Sequence, residues 1–150
     1  MRPLFHPILH AAHLIEAQLR DALAPIGLHP RQARMLMAIA ENGPLKQAQL
    51  ALAFDLAPPT VTIMLTRLAR DGLINRHSVA DQKQTAIALT EAGRALIPEI
   101  ERAWMRVDRM LCHSIGTPQA EGLSQTARKL RDALGGKPPH AKLGDDECGY

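Results

Sequence analysis

Aromatic residues are scarce in this 150-residue chain, since Phe, Trp and Tyr together make up 3% of it. Aliphatic side chains and six methionines must therefore fill any hydrophobic core. Cysteine is scarce as well: Cys112 and Cys148 are too few for a disulfide framework, which favours a reduced setting. Residues 1–12 carry charge, proline and histidine instead of an apolar signal segment, and no hydrophobic run approaches the length of a membrane span. We therefore expect a cytoplasmic protein with no membrane partner.

The sequence motifs that typify enzymes are also missing. There is no GxGxxG or P-loop for nucleotide phosphates, no HExxH or CxxC for metal or redox chemistry, and no GxSxG around a nucleophile. Glu99 and Glu101, the nearest approach to a carboxylate pair, point to different sides of a helix. The sequence thus predicts neither an enzyme nor a bound cofactor.

Hydrophobic residues make up 46% of the chain, which is ordinary for a globular protein, and 150 residues suffice for a real core. The net charge of +3 is modest. Residues 31–94 carry eight basic and five acidic side chains, so an excess equal to the net charge lies in the central region. That excess suits phosphate contact, although charge alone would fit a solvated face of mixed sign equally well.

Residues 44–93 predict a helix, a tight turn, a second helix and a two-stranded ribbon. Pro58 and Pro59 lie where a helix tolerates proline, in its first turn, and Gly72 ends that helix. After Gly72 the hydrophobic period changes to two, as in strands joined by the polar loop 80–83. The buried face of the second helix is predicted at Val61, Met64, Leu65, Leu68 and Ala69. These features predict a winged helix-turn-helix, mainly α with a small β-hairpin wing.

This ordered set of residues resembles the MarR family of transcriptional regulators over residues 4–134. The matching positions are Leu50, Ala51 and Phe54 in the first helix of the motif, 60–68 and 72–74 in and after the recognition helix, Arg76, Asp81 and Lys83 in the wing, and 89–93 at the entry to the next helix. Lys83 stands where the family usually has arginine, Ile63 where it usually has a basic residue, and Thr66 where it often has aspartate. The resemblance implies a homodimeric regulator, most often a repressor, that binds a pseudo-palindromic operator in double-stranded DNA and responds to a small-molecule effector.

Base reading requires short side chains on the exposed half of a helix that enters the major groove, together with cations that neutralise phosphates. Threonine hydroxyls can serve bases or phosphates, whereas Ile63 can only pack on a thymine methyl group or a sugar edge. The predicted DNA contacts are Pro58, Pro59, Thr60, Thr62, Ile63, Thr66, Arg67 and Arg70 in the recognition helix, with Arg76 and Lys83 in the wing.

Apolar residues at helical spacing predict further helices on both sides of the wing. The predicted helices span residues 4–26, 30–42, 45–54, 91–115 with Thr90 as its cap, and 117–134 with Leu123, Ala127, Leu130 and Leu134 inward. The first helix and the last two leave more apolar surface than one lobe can cover, so two chains should pair through them. The predicted organisation is a winged helix-turn-helix lobe at 30–92, a helical dimerisation region at 1–29 and 93–135, and a flexible tail at 136–150.

The resemblance also implies a small-molecule pocket between the winged lobe and the terminal helices, often for phenolic or aromatic acids. Candidate lining residues near that junction combine a flat or polarisable body with a polar tip. They are His13, Arg34, Met35, Trp104 and Met105.

Two other classes of function stay open. His6, His10 and His13 share one helix face, a spacing that can hold zinc, and Cys148 can be oxidised, so a metal- or redox-responsive regulator is one of them. No carboxylate or cysteine completes the histidine set nearby, and a polar surface is the simpler interpretation, so no metal is expected. The other class is a winged-helix protein-interaction module without DNA binding, which only Ile63 favours.

Overall fold

The computed structural model of the protein describes residues 3–78 and 85–136. These residues form six α-helices, one short 3-10 helix and three β-strands. In chain order the elements are α1 (Phe5–Leu23), the 3-10 helix (Ala24–Ile26), α2 (Pro30–Asn42), β1 (Leu45–Lys46), α3 (Gln47–Ala53), α4 (Pro58–Arg70), β2 (Ile74–Ser78), β3 (Thr85–Leu89), α5 (Glu91–Ile115) and α6 (Thr117–Ala133). The prediction of a mainly α fold with a small β wing is confirmed.

Helices α3 and α4 form the helix-turn-helix. They are bent by 115° relative to each other, which lies in the usual range for this motif. As predicted, Pro58 opens α4, where its missing N–H leaves no hydrogen bond broken. After α4, Gly72 has a positive φ of 74°, which glycine adopts without steric cost. The turn itself holds Asp55, also at positive φ (50°), a conformation that aspartate tolerates better than most residues.

The wing belongs to a three-stranded antiparallel sheet with the order β1-β3-β2. The sequence predicts a helix from Leu45, and this is wrong, because Leu45 and Lys46 pair with β3 at Ile87 and Ala86. Pairing buries Leu45, and the Lys46 N–H donates to Oε1 of Gln49 at 2.8 Å, so that α3 begins two residues later than predicted. The polar loop 80–83 lies outside the described residues.

One core joins the winged lobe to the long helix α5. Leu50 of α3, Leu65 and Leu68 of α4, Ile87 of β3 and Ile100 of α5 are all buried in it. Full burial of such a side chain contributes about 1.5–3 kcal/mol. Of the described helices, no single one is long and apolar enough to cross a membrane; α3 and α4 reach that composition only when taken together, across their bend.

Several positions predicted to point inward are exposed. Ala40 on α2 and Ala69 on α4 lie at the edges of their buried faces. The larger difference concerns α6, whose predicted inward residues Leu123, Ala127, Leu130 and Leu134 are all exposed. Because α6 packs mainly on α5, its apolar stripe stays uncovered by the residues that the structure describes.

Thr90 caps α5, as predicted, and also ties it to the recognition helix. Its hydroxyl oxygen accepts from the Gly93 N–H at 3.0 Å and donates to the Gly72 carbonyl at 2.6 Å. One turn into α5, Arg94 donates from Nη1 to the carbonyl of Leu89 at 2.9 Å. The end of α4, the end of the wing and the start of α5 are therefore held together by a few hydrogen bonds.

Candidate nucleic-acid interface

Helix α4 separates a buried face from an outward face. Val61, Leu65 and Leu68 are fully buried, because they recur at helical spacing against the core. The outward face holds Pro58, Pro59, Thr62, Ile63 and Thr66, all exposed, with Thr60 half-buried. Ile63 is 56% exposed and therefore accessible to a partner. The structure thus brings the predicted base-reading residues onto one accessible surface.

The two exposed threonines on this face already make hydrogen bonds within the protein. Thr62 Oγ1 donates to the Pro58 carbonyl at 3.0 Å and accepts from Nε2 of Gln47, on α3, at 2.5 Å. Thr66 Oγ1 donates to the Thr62 carbonyl at 2.8 Å. Gln47 therefore belongs to the candidate interface, although the sequence offers no signal for it because it is 15 positions away from Thr62.

Exposed cations lie farther along α4 and on the wing. Arg67 and Arg70 are exposed in the last turns of α4, and Arg76 is exposed on β2, opposite Ile87. Arg70 lies 3.4 Å from Asp71, but both side chains are open to water, so this ion pair contributes little and leaves Arg70 available. Lys83, the remaining predicted contact, lies outside the described residues.

A groove beside α4 adds residues that the sequence analysis missed. It has a volume of about 330 Å³, and its far wall is the start of α2. There His29 precedes the helix and accepts from the Arg31 N–H through Nδ1 at 3.4 Å. Its lining residues are His29, Arg31, Gln32, Thr60, Ile63, Met64 and Arg67. Pro30 in the first turn marks the start of α2 in the sequence, but only the tertiary fold places Arg31 next to Ile63 and Arg67.

A second cleft lies between α1, α2 and α5, where the sequence predicts an effector pocket. It has a volume of about 280 Å³ and is lined by Ile15, Leu19, Pro30, Arg34, Trp104, Val107, Asp108 and Leu111. Of the candidates, Arg34 and Trp104 line it. Met35 is fully buried in the core, Met105 is 51% exposed and His13 is exposed. None of these three residues lines the cleft.

Electrostatically the cleft holds one charge of each sign. The Arg34 guanidinium lies 5.6 Å from the centre of the Phe54 ring, a cation–π arrangement that links the cleft to the end of α3. Desolvation lowers the pKa of Arg34, and repulsion from Arg31 lowers it further, yet an arginine stays protonated at neutral pH. Asp108 supplies a carboxylate in the same cleft. An anion and a hydrogen-bond donor on one small ligand would complement this pair.

The described residues do not bring together a metal site. Within the part of the chain that the structure describes, no three His, Cys, Asp or Glu side chains converge on a position for a metal ion. His6, His10 and His13 are exposed along α1. Cys112 is a half-buried free thiol on α5, and Cys148 lies outside the described residues.

Comparison with known proteins accounts for this arrangement. The model of the MarR family matches residues 28–85, which include α3, α4 and β2. The homoprotocatechuate degradative operon repressor of Escherichia coli is 28% identical over 147 residues, covering 93% of this chain and 95% of the relative. Over residues 28–85 the chain is similar to the MarR family.

Solved structures of other proteins share the fold. The transcriptional repressor CouR bound to a 23-mer DNA duplex superposes with a TM-score of 0.80 at 22% identity, covering 85% of this chain and 92% of that one. The MarR family protein Rv2887 of Mycobacterium tuberculosis, in complex with salicylic acid, gives a TM-score of 0.68 at 23% identity, covering 87% and 97%. The family model and the curated relatives, which are named as transcriptional regulators and repressors, make this chain a winged helix-turn-helix transcriptional regulator and not an enzyme.

Proposed function

We propose that this protein is a homodimeric MarR-family repressor that binds a pseudo-palindromic DNA operator and releases it when a small aromatic acid binds. The observation that carries the proposal is the outward face of α4. Its exposed residues Thr62, Ile63 and Thr66 lie opposite the fully buried face of the same helix. Short side chains on one exposed helix face fit the major groove. A regulator of this kind acts where the chromosome is, so we place it in the cytoplasm.

The proposed DNA contacts are divided by chemistry. Base edges are read by the first turns of α4, whereas Arg67, Arg70, Arg76 and Lys83 neutralise phosphates. Arg31, across the groove from Arg67, is added to the phosphate contacts because a cation at the start of α2 lies on the same surface. The proposed lobes remain 30–92 for DNA binding and 1–29 with 93–135 for dimerisation.

Dimerisation is proposed from apolar surface that one chain leaves uncovered. The exposed large hydrophobic side chains of the first helix and the last two are Leu4, Phe5, Ile8, Leu9, Leu14, Met105, Ile115, Leu123, Leu130 and Leu134. Monomeric proteins seldom leave so much apolar surface open to water, and a second copy presents the same surface. A two-fold dimer also presents two α4 helices, which matches a palindromic operator.

The effector is proposed from the cleft between α1, α2 and α5. Its volume of about 280 Å³ admits a single aromatic ring. Arg34 would pair with the carboxylate of the ligand, Trp104 would offer its ring face, and Asp108 would accept from a phenolic hydroxyl. A relative is named for homoprotocatechuate degradation and a structural neighbour holds salicylic acid, which supports this chemical class. Met35, His13 and Met105 would act at most indirectly.

Gel-shift titration of the purified protein with DNA from upstream of its own gene, over a series of salt concentrations, tests the DNA-binding part. We expect specific binding that weakens steeply with salt, since each neutralised phosphate releases counterions. A protein-interaction module would show no shift at any salt concentration, and that result would refute the proposal.

The single tryptophan, Trp104, provides a direct test of the effector site. We expect salicylate, used as the probe, to quench its fluorescence and to release DNA in the gel shift. Arg34→Gln should abolish both effects, whereas Arg31→Gln, which removes a neighbouring cation outside the cleft, should leave the quenching unchanged. Equal quenching in all three proteins would exclude Arg34 from the ligand site.

A further inference from the structure

The hydrogen bonds on the outward face of α4 restrict what this face can offer to a partner. A threonine hydroxyl has one proton to donate and two lone pairs to accept with. The Thr62 proton is directed to the Pro58 carbonyl at 3.0 Å, and the Thr66 proton to the Thr62 carbonyl at 2.8 Å. One lone pair of Thr62 is taken by Nε2 of Gln47 at 2.5 Å. The outward capacity of both hydroxyls is therefore that of acceptors.

This inference rests on the proposed docking of α4 in the major groove. We infer that Thr62 and Thr66 select bases whose exocyclic amine lies in the major groove and that, together with Ile63, they favour A·T base pairs. Gln47 is the positioning residue, because its amide holds the Thr62 oxygen from the neighbouring helix α3. The inference concerns which bases these hydroxyls read, and it assigns them no phosphate contact.

The chemistry of the base edges leads to this choice. In the major groove only adenine N6 and cytosine N4 donate hydrogen bonds, whereas guanine N7 and O6 and thymine O4 accept them. Phosphate oxygens accept as well, so an acceptor hydroxyl is not suited to them. Thr62 and Ile63 are sequence neighbours and Thr66 is one turn farther on, so amine and methyl would be read side by side. Of the base pairs, only A·T carries both an amine and a methyl group in this groove.

A Thr62 hydroxyl that donated its proton to a base would lose a hydrogen bond within the protein. For Thr62 to donate to guanine or thymine, its proton must leave the Pro58 carbonyl, and the net loss of one such intramolecular bond corresponds to about a fivefold change in affinity. The bond from Gln47 adds to this, because it fixes the oxygen and leaves one lone pair facing outward. A moderate preference is therefore expected at each base, and it should be sensitive to both Thr62 and Gln47.

Base analogues test the inference directly. Binding sites are first selected from random duplexes with the wild-type protein. The preferred adenines are then replaced one at a time by 2-aminopurine, which still pairs with thymine but moves the amine into the minor groove. We expect about fivefold weaker binding for each adenine read by Thr62 or Thr66. Thr62→Val, which keeps the shape of the side chain, should bind adenine and 2-aminopurine probes equally at the Thr62 position, and Thr66→Val should do so at its own.

The matched control is Thr126→Val on α6, because Thr126 makes the same type of bond to the Gly122 carbonyl, at 2.9 Å, outside the proposed interface. It should discriminate between the probes as the wild type does. Gln47→Ala should reduce the discrimination between the two probes at the Thr62 position while leaving the salt dependence of binding unchanged. A mere loss of general affinity would not reduce the discrimination. Thermal melting of each variant checks that the fold is retained.

The outcomes separate the inference from the proposed function. If no duplex is enriched, the proposed function fails and the inference fails with it. If a palindrome is enriched but 2-aminopurine has no effect, or Thr62→Val and Thr66→Val keep the wild-type discrimination, the inference is wrong while the proposed function stands. Position-specific loss of discrimination in these variants, with Thr126→Val unchanged, supports it.

Discussion

Among single residues, Gly93 at the start of α5 has no room for a side chain. A Cβ atom on Gly93 would lie 2.1 Å from the carbonyl oxygen of Leu73, and that oxygen accepts from the Thr90 N–H at 3.1 Å. Glycine is required here by the close approach of two backbones. Gly122, in the interior of α6, has nothing within 4 Å of its Cβ position in the single chain.

Gly93→Ala should therefore destabilise the protein, and Gly122→Ala should not. We expect a loss of about 2 kcal/mol for Gly93→Ala from overpacking, which corresponds to a melting temperature roughly 4–8 °C lower. Gly122→Ala should be neutral or add about 0.5–1 kcal/mol, because alanine favours a helix over glycine. Thermal denaturation followed by circular dichroism measures both, and equal melting temperatures would contradict the close contact at Gly93.

Ile63 is one of the positions that depart from the MarR pattern, and its exposure on α4 makes it testable. A branched aliphatic side chain can pack on a thymine methyl group but cannot hydrogen-bond a guanine. We expect the wild type to prefer thymine over cytosine at one position of each half-site, and Ile63→Ala to lose that preference at a cost of about 1 kcal/mol. Ile63→Arg should raise general affinity and favour guanine. Identical consensus sequences from binding-site selection with all three proteins would show that Ile63 does not face the bases.

At the scale of elements, α4 lies between the start of α2 on one side and the start of α3 on the other. The groove to α2 brings Arg31 beside Arg67, and the hydrogen bond from Gln47 reaches across from α3. Three elements thus contribute to one surface, and its cations should act together on the DNA backbone.

Arg67→Gln should accordingly weaken binding to all sequences by a similar factor. Loss of one phosphate contact is expected to reduce the slope of log affinity against log salt by about 0.9. Arg128→Gln on α6 removes the same charge from an exposed site outside the proposed interface and should leave the slope unchanged. If both variants gave the wild-type slope, Arg67 would have no contact with the phosphates.

At the scale of the whole molecule, the winged lobe buries its apolar side chains, whereas the terminal helices leave many of theirs exposed. The lobe shares its core with α5, whereas α6 exposes its leucines. The proposed pairing with a second chain would bury the apolar stripe of α6. The stability of the terminal helices should therefore depend on protein concentration.

We expect light scattering to report a dimer at micromolar concentration. Leu123→Glu would place a charge in the proposed interface and should yield monomers or an unfolded α6, because a buried unpaired carboxylate is costly. Leu52→Glu, at a leucine that is 66% exposed on α3, is the control and should remain dimeric. A folded monomer of the wild type, or a dimeric Leu123→Glu protein, would refute pairing through these helices.

Local patterns in the sequence determined most of the helices and the resemblance to the MarR family. Proline in the first turn, glycine after the last turn and a change of hydrophobic period set the limits of α2, α4 and the wing to within a residue or two. Thr90 was recognisable as a cap because capping acts over three residues. Each of these signals depends on near neighbours in the chain, and such neighbours are visible in the sequence.

Only the tertiary structure decided the rest, because it depends on residues far apart in the chain. Leu45 belongs to a strand because Ile87 lies beside it, and Met35 is a core residue because several elements surround it. Arg34 and Trp104 share a cleft through the packing of α2 and α5. The Thr62 hydroxyl oxygen accepts a hydrogen bond from Gln47 on another helix. Contacts of this kind form when elements pack together, and the spacing of residues along one element does not predict them.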